Sequence, residues 1–147
     1  MNFIDNSFSN DCGNDGKGEN AKADMTAMLE DIFDKDHGVH GVTVFLSNLL
    51  PKGKNNECVE KVNKDYKKIV EEYEEKNKKL EEKDRKKIVF VDINSKIKPE
   101  HMTDDGIHPN DAGHKVFAET WFEAIKKNEG LITKPNDNGG ITPAVPS

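Results

Sequence analysis

The sequence predicts an α/β domain built on a parallel sheet, and three observations predict it. Two short runs rich in β-branched and aromatic residues, 42–46 and 88–91, are apolar on both faces, as buried parallel strands are. Segments with apolar residues at helical spacing stand before, between and after them. Such alternation implies right-handed crossovers between parallel strands, with the ligand site beyond the strands' carboxyl ends.

The opening, residues 2–8, is short and mixed and reads as a worn strand. A polar loop, NDCGNDGKGEN, follows. It lacks the GK[ST] ending of a phosphate-cradling loop, and Asp11 and Asp15 do not continue into a calcium-loop ligand pattern. Ala21, Met25, Met28, Leu29, Ile32 and Phe33 then fall at helical spacing, with Asn20 as the N-cap and an expected stop near Asp36, before Gly38.

After the first apolar run, Pro51 and Gly53 mark a loop. Val59, Val62, Tyr66, Ile69, Val70 and Tyr73 set the second helix. Residues 71–87 are charged almost throughout and read as a solvated helix extension and loop. The run at 88–91 is followed by the loop KIKPEHMTDDGIHPND. A third helix is expected from about 111 to 127, with Asn110 as N-cap and Val116, Phe117, Thr120, Trp121, Ala124 and Ile125 as its stripe. Residues 1–130 are expected to form one domain. Residues 131–147 read as a tail or linker rich in Pro, Gly and Asn.

Charge narrows the function classes. The chain holds 28 Asp plus Glu against 22 Lys plus Arg, a net charge of −6. That balance argues against a nucleic-acid surface, which needs clustered cations. Hydrophobic residues make up only 33%, which is thin for a sheet covered on both faces and suggests an incomplete core. No apolar run is long enough for a bilayer, so no membrane partner is expected. The start, MNFIDNSFSND, lacks the basic and apolar regions of a secretory signal. Two cysteines without a CxxC pair suggest neither a disulfide scaffold nor zinc. A Cys12–Cys58 bridge and two unpaired thiols both stay open.

The chemistry gathers in Asp105-Gly106-Ile107-His108-Pro109-Asn110. A carboxylate three residues before an imidazole, in a loop entering a helix, suits a general-base pair. The Asp fixes the tautomer through one ring nitrogen and leaves the other to accept a proton. Gly106 permits the tight turn, and Pro109 keeps His108 extended. The same residue types are also ordinary in loops and caps. His101, His108 and His114 lie near acidic residues, but none has the i, i+4 spacing of a zinc helix, and no metal or cofactor is expected. His37 and His40 flank Gly38 and are expected at the surface.

The stretch DDGIHPNDAGHKVFAETWFEAI resembles the last block of SGNH (GDSL-type) hydrolases, in which an Asp-x-x-His pair supplies the triad acid and base. Asp105 and His108 match that pair. The onward HPNDAGH and its helix are most similar to family 3 carbohydrate esterases, which deacetylate plant polysaccharides such as xylan. The family's Gly-x-Asn-Asp block is matched by Phe8-Ser9-Asn10-Asp11, with Phe8 in place of the glycine. The resemblance gives Asn10 the oxyanion-donor role. It covers residues 10–131, interrupted by the charged segment at 76–87.

The resemblance implies a three-layer α/β/α fold with its first strands missing. The Gly-Asp-Ser block that carries the nucleophile, and the oxyanion-glycine block after it, have no room before Phe8. The chain is therefore expected to be a truncated or decayed ester hydrolase, weak or inactive alone. Ser7 and Ser9 stand nearest Asn10, Ser47 lies in a strand and Ser95 at a strand end. None sits on a strand-to-helix elbow, and none is expected to replace the nucleophile. The implied substrate is an acetylated polysaccharide or other small ester, and the family implies secretion. The alternative is a non-catalytic protein that binds acetylated sugars or self-associates through an exposed sheet edge.

Overall fold

The computed structural model describes residues 11–13, 16–38 and 41–132, together with the backbone of residues 2–4. Six main elements alternate along the chain: β1 (Asn2–Ile4), α1 (Ala21–Ile32), β2 (Thr43–Ser47), α2 (Asn56–Asn77), β3 (Lys87–Val91) and α3 (Asp111–Lys127). The three strands form one parallel sheet in the order β1-β2-β3. Val44 pairs with Asn2 on one side and with Ile88 on the other. The α/β class with a parallel sheet is thus the observed architecture.

Alternation along the strands builds two cores. Val44 and Leu46 face a cluster with Met25 and Leu29 of α1 and Val59, Val62, Tyr66 and Ile69 of α2. Phe45 and Val91 face the other way, towards Ile93, Ile97 and the α3 stripe. Helices on both faces of the sheet give three layers. The α3 layer is the thinner one. Val116, Phe117, Trp121, Ala124 and Ile125 are only partly buried, and Phe122 is 65% exposed.

Every residue of β2 is buried, as its two-sided apolar run requires. The run at 88–91 was expected to be buried in the same way, but β3 is half-buried apart from Val91. It ends the three-strand order and so, among the described residues, has a strand on one side only. Asn20 stands at the start of α1, yet its side chain makes no cap bond. Asn110 does cap α3, accepting from the Gly113 N–H at 3.0 Å. The charged segment is solvated as expected, and it is stapled at its base. Asn77 bonds the backbone N–H and carbonyl of Lys86 at 2.8 Å each, and Arg85 Nε reaches the carbonyls of Asn77 and Leu80.

Cys12 and Cys58 are joined, with α-carbons 5.6 Å apart, and both are buried. The bridge ties the glycine-rich loop to the first turn of α2. Two further bonds hold the same loop. Lys52 Nζ donates to the Cys12 carbonyl at 2.9 Å, and the Asn55 amide donates to the carbonyls of Gly13 and Gly16 at 2.9 and 2.8 Å. Asn55 reaches them from a left-handed backbone conformation, φ 59°, which Asn tolerates better than most residues.

The end of the described chain also packs on the sheet. Thr43 donates its hydroxyl to the Leu131 carbonyl, and Ile132 lies against the α3-side cluster. The rest of the expected tail, residues 133–147, lies outside the described residues.

Candidate functional site

The loop between β3 and α3 descends in two 3-10 turns, Asn94–Lys96 and Pro99–His101, and then folds back on itself. Met102 and Pro109 form an antiparallel bridge. Thr103 N–H donates to the His108 carbonyl at 2.8 Å, and Gly106 N–H to the Thr103 carbonyl at 2.9 Å. Gly106 takes φ +66°, the left-handed conformation that closes the turn. The Asn110 amide donates to the carbonyls of Glu100 and Met102 at 2.8 and 3.2 Å. One residue therefore caps α3 and pins the loop beneath it.

Asp105 and His108 meet at the tip. His108 Nδ1 lies 2.6 Å from Asp105 Oδ2. The other carboxylate oxygen, Oδ1, accepts from the N–H groups of Ile107 and His108 at 2.7 and 3.0 Å, and from the Thr103 hydroxyl at 2.7 Å. The contact with His108, followed by these donors, holds the Asp105 carboxyl well below the usual carboxylate range. An ionised Asp105 on Nδ1 favours the Nδ1–H tautomer and leaves Nε2 as the acceptor. The His108 side chain is 73% exposed, so Nε2 is open to solvent and to a substrate. Among the described residues, no hydroxyl is hydrogen-bonded to it.

A small cavity of about 260 Å³ lies against the base of the turn, lined by Pro51, Lys52, Gly53, Met102, Thr103 and Gly106 among others, with neither Asp105 nor His108 in its wall. It lies where the β2–α2 and β3–α3 loops meet, on the carboxyl side of both strands. A larger cleft of about 710 Å³ sits at the opposite pole, against Val42 and Lys87. Those residues border the amino ends of β2 and β3, the end at which open parallel sheets do not build their ligand sites.

Of the three residues singled out from sequence, the structure brings Asp105 and His108 together. Asn10, with Ser7, Ser9 and His40, lies outside the described residues. Ser47 is buried within β2, and its hydroxyl has no hydrogen-bond partner among the described residues. Ser95 sits in the turn after β3, donating its N–H to Asp92 at 3.2 Å. His101 turns its Nδ1 to the Lys98 N–H at 3.1 Å, and His37 lies at the surface beside Asp34. Two roles in the site were not read from the sequence: Thr103 as the donor to Asp105, and Gly53, read only as a loop marker, whose N–H donates to the Gly106 carbonyl at 2.7 Å.

The family model of GDSL-like lipase/acylhydrolase matches residues 2–121. The chain belongs to the GDSL-like lipase/acylhydrolase family. No curated protein and no solved structure gives a match. GDSL-like acylhydrolases are ester hydrolases, so small esters are the substrate class the family brings. The matched span contains the whole Asp105–His108 loop and most of α3. No described helix of this GDSL-like chain is long and apolar enough to cross a membrane.

Proposed function

We propose that this chain is an SGNH-type carboxylic ester hydrolase acting on acetyl esters of a carbohydrate, with His108 as proton acceptor and Asp105 as the acid that orients it. The observation that carries the reading is the 2.6 Å contact between His108 Nδ1 and Asp105 Oδ2, with the other ring nitrogen exposed. An imidazole held this way takes a proton from an attacking hydroxyl and returns it to the departing alkoxide. Asn10 is the proposed oxyanion donor, on its match to the family's Asn-Asp block. Residues 1–130 are proposed as the C-terminal part of the hydrolase domain.

The carbohydrate substrate rests on the likeness of residues 104–125 to family 3 carbohydrate esterases. Secretion is proposed on the same likeness, and the Cys12–Cys58 bridge supports it, because such bonds persist in oxidising compartments. Turnover by this chain alone is proposed to be weak. The sequence contains no Gly-Asp-Ser, so without a serine the His108 imidazole acts only as general base on an attacking water, a contribution of ~10²–10⁴-fold.

Acetate release from acetylated xylo-oligosaccharides tests the reading. Slow release that His108→Ala abolishes supports it. Release that His108→Ala leaves unchanged contradicts it.

The lack of a hydroxyl hydrogen-bonded to Nε2 among the described residues favours a second reading, a protein that binds acetylated sugars without cleaving them. Saturable binding of the same oligosaccharides with no acetate release would select it. Binding to the deacetylated oligosaccharides with equal affinity would remove it.

A further inference from the structure

The Oδ1 oxygen of Asp105 accepts three hydrogen bonds, and only two of them come from the main chain. The N–H groups of Ile107 and His108 approach Oδ1 from the residues that follow it. The third is the Thr103 hydroxyl, which donates to the same oxygen at 2.7 Å from the first residue of the turn. It also lies 3.1 Å from the His108 carbonyl. That carbonyl already accepts from the Thr103 N–H at 2.8 Å, and the charged oxygen is the stronger acceptor, so the hydroxyl proton goes to Asp105. The terminal torsion of an Asp side chain is broad and nearly two-fold. The two main-chain donors alone fix where Oδ1 sits without fixing the plane of the carboxylate.

We infer that Thr103 is a positioning residue, whose hydroxyl sets the carboxylate plane so that Oδ2 faces His108 Nδ1 and holds the imidazole in its Nδ1–H form. This role rests on the reading of Asp105–His108 as an acid–base pair. The backbone bonds of Thr103 are independent of its side chain, since its N–H meets the His108 carbonyl and its own carbonyl meets the Gly106 N–H. Thr103→Val therefore removes the donor while the turn keeps its main-chain frame, and it nearly preserves the volume of a residue that walls the 260 Å³ cavity.

The test is imidazole ¹⁵N–¹H spectroscopy of the full chain at alkaline pH, which reads whether the ring proton sits on Nδ1 or Nε2. The wild type is expected to show one dominant form, Nδ1–H. Thr103→Val is expected to shift His108 to a mixture of both tautomers, while Thr103→Ser keeps the wild-type balance. Thr103→Ala serves as the second donor-free variant should the valine disturb the fold, and it is expected to behave like the valine. Donor-free variants with an unchanged tautomer balance overturn the positioning role and leave the acid–base pair standing. A wild-type imidazole with no excess of Nδ1–H overturns both.

Discussion

Gly53 donates its N–H to the Gly106 carbonyl at 2.7 Å, so the loop leaving β2 props the turn that carries Asp105 and His108. The two backbones meet with no side chain between them. A Cβ on Gly106 would stand 3.1 Å from the Gly53 α-carbon and would have to adopt φ +66°. Gly106→Ala is therefore expected to destabilise the turn by about 1–3 kcal/mol. Gly53→Ala meets Gly106 at 3.3 Å without that φ constraint, so its effect is smaller. Thermal melts rank the two, and amide shifts of residues 103–108 show whether the loss is local.

The Cys12–Cys58 bridge closes a span of 46 residues and joins the glycine-rich loop to α2. Chain entropy for a loop of that length gives about 4 kcal/mol of stabilisation. Reduction, or paired substitution by serine, is expected to lower the melting temperature markedly. Both sulfurs are buried, so reduction without denaturant is expected to be slow. A melt unaffected by paired substitution with serine would contradict this assignment of the bridge.

Gly113 lies in the first turn of α3, where a Cβ would sit 2.1 Å from the His101 carbonyl oxygen. Alanine is the better helix former by about 1 kcal/mol. The backbone contact outweighs that preference, because neither partner is a flexible side-chain end. Gly113→Ala is expected to destabilise the protein by about 1–3 kcal/mol and to loosen the loop beneath the helix. A raised melting temperature would refute the contact.

Asp105 gives the site a pH signature. Its folded carboxyl is depressed below its ordinary value, chiefly by His108, so the unfolded chain binds the proton first. The contribution is present above the ordinary carboxylate range. It is lost as pH falls through that range towards the depressed folded value. Carboxyl ¹³C titration is expected to show Asp105 still ionised below the ordinary carboxylate range. The stability difference between wild type and Asp105→Asn is expected to shrink over the same acidic window.

Much of this architecture was legible because local rules and tertiary packing agree. The two-sided apolar run at β2, the helical stripe of α2 and the Asn110 cap of α3 each state their own structure. Asn20 misled because it occupies the cap position of α1 without using its side chain. The exposure of β3 depends on its neighbours, which no local pattern encodes. The cysteine pairing stayed open for the same reason, since it joins a loop and a helix 46 residues apart. Within the site, Asp105 and His108 stand three apart and could be read from spacing. The Gly53 support crosses between two loops, and the Thr103 hydroxyl finds its acceptor only once the turn has closed.

The most direct measurement is the rate of aryl acetate hydrolysis by the wild type and by His108→Ala, on samples with matching melting curves. The account expects a slow wild-type rate above the uncatalysed background and a His108→Ala rate equal to that background. Equal rates above background for both proteins would contradict it.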